Sequence, residues 1–427
     1  RPRLVVDSSA VRLDSSYWSA NIVLPLDSLE SRAYRTLDST QSLDVQFRPG
    51  GAMMTIGGGT GITGTILSFT DLSFNRVEGF HAGVRAELDS VTNSLSLNAG
   101  LAYGFSDRHG TYALGGTYYT GRHRTVGFGA EAYRIVDHIP DHGYYDSFSN
   151  SLAAILNKED YRDYFSADGW RAFVRFHPSA EILSTLTYTS EQEKPLAART
   201  SFSIFLPSRA FRANPAALSG HIGSLRLDLH LGPAPVPLDL VQQNGLDISV
   251  EHAAPLFTGG DFDFTRVDGI VTVIVPTFGQ SYLMKPGFRL RASAGDATGA
   301  LPVQRLFAVE SALDGYAAFG VMHGAHPREF TGTGYAAINL EHNFRNIPLL
   351  ALGIPFLYNF NVDLIAFGGA AHTWSRNPPA GAPVRTGMYT EAGFSVSRLF
   401  ELFRADFAWR LSGPKGFYFT LGVATFL

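Results

Sequence analysis

The chain has 427 residues, of which 45% are hydrophobic, 13% aromatic and 17% charged, with a net charge of −4 and no cysteine. Its longest apolar run, Ile347 to Tyr358, is broken by Pro348, Gly353 and Pro355, short of the roughly 20 residues a membrane helix needs. Helical membrane spans, a disulfide or cysteine–zinc scaffold and a basic nucleic-acid binder are therefore excluded, and 32 Phe with 18 Tyr exclude a chain that never collapses.

Residues 1–50 read as a short lead-in ahead of a main domain spanning 51–427. Pro25 precedes Asp27-Ser28-Leu29-Glu30, a capping box opening a helix through about Leu37, and Pro49-Gly50-Gly51 ends the segment. Arg1 has no secretion leader before it, as expected of a processed or truncated product. From Met53 onward the dominant signal is period-two alternation. The first such segment, Met53 to Thr65, carries Gly57, Gly58, Gly59, Gly61 and Gly64. Its Gly59-Thr60-Gly61-Ile62-Thr63-Gly64 spells a dinucleotide fingerprint, but Thr65-Ile66-Leu67-Ser68-Phe69 follows as strand where that motif needs a helix. The glycines read instead as a poorly packed strand.

Sixteen strand segments are predicted, starting near Met53, Leu72, Thr92, Thr111, Thr125, Gly169, Glu181, Leu218, Asn244, Asp263, Tyr282, Gly334, Leu357, Thr386, Glu401 and Lys415. Ser149–Asn157, within a long connection, has Leu152, Ile155 and Leu156 at helical spacing and reads as a short helix on the rim. Connections after even-numbered segments are mostly short, whereas 138–169, 191–217 and 296–333, after odd-numbered ones, are long. An even strand number with short turns on one rim and long loops on the other predicts an all-β, closed antiparallel transmembrane barrel of the Gram-negative outer membrane. Closure leaves no exposed edge. The lead-in then falls in the periplasm. The implied surroundings are outer-membrane lipid and lipopolysaccharide, with a protein substrate or envelope proteins as partners and no nucleic acid.

The polar faces of these strands bear Arg85, Glu87, Arg171, Arg175, Arg226, Asp228, Arg289, Arg291, Glu341, Glu391, Arg404, Asp406 and Arg410, all expected to line the lumen. Trp170, Phe288, Phe403, Trp409 and Phe419 alternate with them and are expected to face lipid. The closing seam is expected between the glycine-rich first segment and an aromatic last strand containing Phe417 and Phe419; strand glycine weakens such a junction. Asp137-His138 with Asp141-His142, and His323 and His326 with Glu329, have metal-ligand composition, but Pro140 breaks helical spacing in the first set. Both sets read as solvated polar loop. No Ser/His/Asp set occupies a nucleophile context, so neither catalysis nor a cofactor is expected.

The last third of the chain carries Gln304-Arg305-Leu306-Phe307, Ser311-Ala312-Leu313-Asp314-Gly315-Tyr316, Gly334-Tyr335-Ala336-Ala337-Ile338-Asn339-Leu340-Glu341, Asn361-Val362-Asp363, Glu391-Ala392-Gly393-Phe394 and Phe403-Arg404-Ala405-Asp406-Phe407-Ala408. This text resembles the barrel of the bacterial surface antigen superfamily, which includes BamA-like assembly factors and two-partner-secretion transporters. The front, with Asp14-Ser15-Ser16-Tyr17-Trp18, Pro25-Leu26 and Phe74-Asn75-Arg76-Val77-Glu78-Gly79-Phe80, looks like an uncharacterised Bacteroidetes-type branch of it. The resemblance implies that the loop from Gln304 to Tyr316 folds back into the lumen. It also implies that an arginine at the loop tip pairs with an acid on the thirteenth strand, here Asp363. The tip reads Asp314-Gly315-Tyr316 and lacks that arginine, leaving Arg328 as its substitute. By resemblance the expected role is insertion or translocation of proteins at the outer membrane; the alternative is a porin-like channel or an anchoring barrel.

Overall fold

A computed structural model describes residues 66–68 and 72–423, apart from 93, 122–123, 142–144, 146, 234–242, 279–284, 314 and 355–360. The expected helix in 1–50 and the glycines of the first segment lie outside the described residues. In chain order the elements are β1 (Ile66–Ser68), β2 (Ser73–Asn75), β3 (Gly79–Thr92), β4 (Leu95–Gly104), β5 (His109–Thr120), β6 (Val126–His138), α1 (Ser147–Asn157), β7 (Tyr164–Ser179) and β8 (Ile182–Pro195). They continue with β9 (Gly220–Leu231), β10 (Gly245–Ala253), α2 (Pro255–Thr258), β11 (Phe264–Pro276), β12 (Gly287–Gly299), β13 (Phe307–Ala308), β14 (Thr331–Gly332) and β15 (Gly334–Asn343). The chain ends on α3 (Ile347–Ala351), β16 (Asp363–Trp374), β17 (Gly387–Leu399), β18 (Phe403–Arg410) and β19 (Gly416–Val423). Among the described residues no helix is long and apolar enough to cross a membrane.

Seventeen of these strands make one antiparallel sheet in which sequence neighbours pair; β13 and β14 form a separate ribbon. Both β1 and β2 lie on the same edge of β3, so the sheet is sixteen strands wide. From β4 onward most strands start within a few residues of their predicted positions, because alternation fixes register as well as existence. The second predicted segment needs correction. Residues 76–78 are a turn, not strand: the Asn75 side chain accepts the amides of Val77 (2.9 Å) and Glu78 (2.7 Å), reversing the chain before β3. Most connections sort by parity, with 139–163, 196–219 and 300–333 on one rim; 232–244 and 344–362, the latter holding α3, are long exceptions on the other.

One face of the sheet is apolar and exposed. Trp170, Phe403, Trp409 and Phe419 are all exposed on it, with Phe417, Leu227 and Leu114. Such exposure would be a liability in water and suits hydrocarbon. On the opposite face the charges sink: Arg289, Glu341, Glu391, Arg404, Asp406 and Arg410 are all buried. What buries them is the 300–333 connection. It lies on that face and contacts strands from β8 to β19, so the sheet curls around it.

Candidate functional site

The site is this loop with the strands that grip it. It is attached along its whole length by polar anchors set among apolar ones. At its start Leu301, Val303, Leu306 and Phe307 pack with Phe264, Ala297 and Tyr335. Gln304 and Arg305 extend past them to the strand acids. The Gln304 amide reaches Glu193 and donates to the Leu218 carbonyl (3.0 Å), while its oxygen accepts the Leu218 amide (3.0 Å). Arg305 donates to Glu193 (2.9 Å) and Glu251 (3.2 Å), with Glu191 at 3.7 Å. Among the described residues, the guanidinium is the one cation that touches all three carboxylates of this buried cluster, and Glu191 also accepts the Tyr133 hydroxyl.

Farther along, Phe319 lies under the guanidiniums of Arg289 (5.1 Å) and Arg291 (5.3 Å), and its carbonyl accepts Arg291 (2.8 Å). His323 places Nδ1 2.8 Å from Glu391 and Nε2 3.8 Å from Asp406, with the ring stacked on Phe367 at 4.5 Å. Near the loop's end Glu329 takes a bidentate pair from Arg410 at 3.0 Å on both arms, and Arg410 also donates to the Gly324 carbonyl. Beneath the loop, Glu341 joins Arg289 (3.0 Å) to Arg404 (2.6 Å), and Arg404 also pairs with Asp406 (2.6 Å).

Leu313, Ala317 and Val321 at the tip pack with Tyr145 and Tyr161 of the rim, and Tyr145 donates to the Ser311 carbonyl (3.0 Å). That rim is a cover. Arg76, in the β2–β3 turn, is fully buried between Asp160 (3.4 Å) and Asp163 (2.6 Å) and donates to Asn214 (3.0 Å). Arg212 also pairs with Asp163 (2.6 Å). Burial raises the Asp163 pKa, but Arg212, Arg328 and Arg76 outweigh it and hold the carboxyl below its ordinary value. Phe202 and Phe211, from the connection after β8, close over Phe74.

The expected loop residues Gln304, Arg305, Phe307 and Leu313 are all buried in these contacts, and Tyr316 packs against Tyr145; Asp314 lies outside the described residues. Two expectations need correction. Asp363 does not meet the loop: its carboxylate accepts Asn343 (3.1 Å) and Arg345 (3.0 Å), across the β15–β16 connection at the sheet's other end. Arg328 points to the rim instead, 3.8 Å from Asp163 and over the Tyr161 ring. The loop's acids and bases are matched by Glu193, Glu251, Glu391 and Arg410. His323 is buried rather than solvated, because two carboxylates stabilise its charged form.

Away from the loop, the charges are less enclosed. Arg171 pairs with Glu131 (2.5 Å), Arg226 with Asp228 (2.8 Å), and Arg175 lies over Phe173 (5.5 Å). Here a cavity of about 300 Å³ opens beneath α1, lined by Glu78, His81, Arg85, Gly100, Asp137 and His138 among others.

Residues 60–223 match the C-terminal domain of a family of unknown function, DUF5686. None of the curated proteins matches. Among solved structures, the chain is similar to BamA from Haemophilus ducreyi lacking POTRA domains 1–3, at 11% identity and a TM-score of 0.50, over 82% of this chain and 68% of that one. It also matches CdiB from Acinetobacter baumannii (14% identity, TM-score 0.36, 82% of this chain) and CdiB from Escherichia coli (10%, 0.39, 82%). The chain spans 58% and 59% of those two CdiB proteins. The likeness to BamA is one of fold, and the chain is an outer-membrane type β-barrel protein.

Proposed function

We propose that this protein is a closed sixteen-stranded outer-membrane barrel that inserts or translocates proteins, with the 300–333 loop as a resident plug and the junction of first and last strands as its exit. One observation carries the reading: the loop is bonded by charged groups to strands from β8 to β18 and by its backbone to β19, occupying the space an open pore would need. A plug so anchored suits a barrel that works on chains at its wall more than one that passes solutes through its centre. In this proposal the glycine-rich segment read from the sequence as the first strand is the wall's weak point, since each strand glycine forfeits cross-strand contact and roughly 0.5–1 kcal/mol. The cavity beneath α1 favours a second reading, a narrow solute path along β3–β6 beside the plug.

The test uses the absence of native cysteine. Cysteine pairs are introduced with one member in 57–64 and the other at Phe417 or Phe419, and crosslinked in cells. Loss of complementation on locking, restored by reduction, is the expected result. Unchanged complementation by verified locked protein would retire the role of the seam.

A further inference from the structure

Helix α1 turns its polar side to the protein. The Asn150 amide donates to Asp160 (3.1 Å) and to the Tyr164 hydroxyl (3.1 Å). The Ser151 hydroxyl accepts the Phe74 amide (3.0 Å), and Ser147 accepts Arg162 (3.0 Å). Asn150 and Ala154 are the buried residues of the helix. Phe148, Leu152 and Ile155 recur at i, i+4 and i+7, which sets them on one face. That face is turned outward: Phe148 is 68% exposed and Leu152 44%. A surface helix of a water-soluble protein is built the other way round, with its apolar stripe on the core.

The connection after β8 widens this surface. The amides of Ile204 and Phe205 donate to the Ile155 (2.8 Å) and Leu156 (3.2 Å) carbonyls at the end of α1. The Lys158 ammonium holds the same segment through the Pro207 (2.7 Å) and Arg209 (2.6 Å) carbonyls. Phe202, Ile204 and Phe205 are left exposed, Phe205 at 66%. Neither 147–157 nor 200–208 contains a charged side chain. Charge returns only where both segments end, at Glu159 and Arg209, which pair with each other. The patch also runs on into the wall of the sheet. Phe202 stands 6.1 Å from Phe74 and 5.9 Å from Phe80, and Phe80 lies with Val84 on the exposed apolar face of β3.

We propose that α1 and residues 202–206 form a lipid-binding shelf at the long-loop rim, the rim that in such barrels faces the cell exterior. Its occupant is the acyl chains of the outer leaflet. The occupant follows from continuity, since hydrocarbon in contact with Phe80 meets no polar boundary before Phe202. An apolar stripe backed by a polar face and ending in charge is also how an interfacial helix is composed. Left in water, so many adjoining apolar side chains would be an aggregation hazard. The shelf rests on the barrel's place in the membrane and not on what the barrel carries. It gives the rim above β3 a grip on the bilayer that the strands alone do not supply.

The experiment uses the whole purified chain in lipid nanodiscs, with the fluorophore NBD attached at Leu152→Cys or at Phe205→Cys. The chain has no native cysteine, so each label is unique. Both side chains are exposed, and neither change empties a packed position. The probe is phosphatidylcholine carrying a doxyl nitroxide high on one acyl chain. Phe80→Cys on the wall and Arg226→Cys on the opposite face serve as references. Expected is quenching at Leu152 and Phe205 at least threefold that at Arg226 and close to that at Phe80. Quenching no stronger than at Arg226 would overturn the shelf. That holds whether the labels are then open to aqueous iodide, as in a solvated loop, or shielded from it, as under a second copy of the chain or another protein.

Discussion

His323 and Glu391 meet at 2.8 Å between the plug loop and β17, both buried, with Asp406 of β18 on the far side of the same ring. Burial lowers the pKa of the imidazole, but Glu391 and Asp406 outweigh it and the opposing Arg404, holding it above the usual 6.5. A cation is thus kept beside Glu391, with Asp406, itself paired with Arg404, on the far side of the ring. The sign of the pH dependence follows. Stability from a raised histidine is fully present below its unfolded pKa and is lost as pH rises through the folded one.

The urea midpoint of folded protein in micelles should therefore fall between about pH 6 and about pH 9 by more in the wild type than in His323→Gln. Parallel curves would show that the imidazole is not charged in the folded protein.

Arg305→Met should be among the most damaging single changes. It leaves Glu191, Glu193 and Glu251 buried around an empty position, and breaking a buried ion pair from one side costs about 3–5 kcal/mol. Glu251→Gln should cost less, since the guanidinium keeps Glu193. The check is the urea midpoint of both variants; a smaller loss for Arg305→Met than for Glu251→Gln would contradict the arrangement.

Arg76 ties the β2–β3 turn to the cover made by α1 and the connection after β8. Arg76→Ala should open that cover, and external protease should cut within 197–214 at least several times faster than in the wild type. Gln304 to Tyr316, which lies beneath the cover, should stay resistant in the wild type. Rapid wild-type cleavage there would mean that the loop is outside.

Facing can be checked directly. Single cysteines at Trp170, Phe403 and Phe419 should react with a membrane-embedded probe, and those at Arg226 and Arg404 should not. Labelling of Arg404→Cys in place of Phe403→Cys would reverse the two faces of β18.

Much of the fold was legible because a strand's alternation is a local property. Phe403-Arg404-Ala405-Asp406 declares both its conformation and which side is wet. The burial of the 300–333 loop was legible through its resemblance. Its partners were not. Arg328 and Asp163 lie on different connections, and no spacing rule links them. Asp363 has the look of an inward strand acid, but Arg345, eighteen residues before it at the other end of the β15–β16 connection, satisfies it. The Leu421 amide donates to the Gly315 carbonyl at the loop tip (2.8 Å), a backbone bond with no side-chain signature beyond the glycines at 315 and 422.

Single-channel conductance of the wild-type protein in a planar bilayer tests the central claim, a barrel filled by its own loop, most directly. The account predicts small, flickering openings, with large steady ones appearing only when Arg305→Met loosens the plug. Large steady openings in the wild type would contradict it.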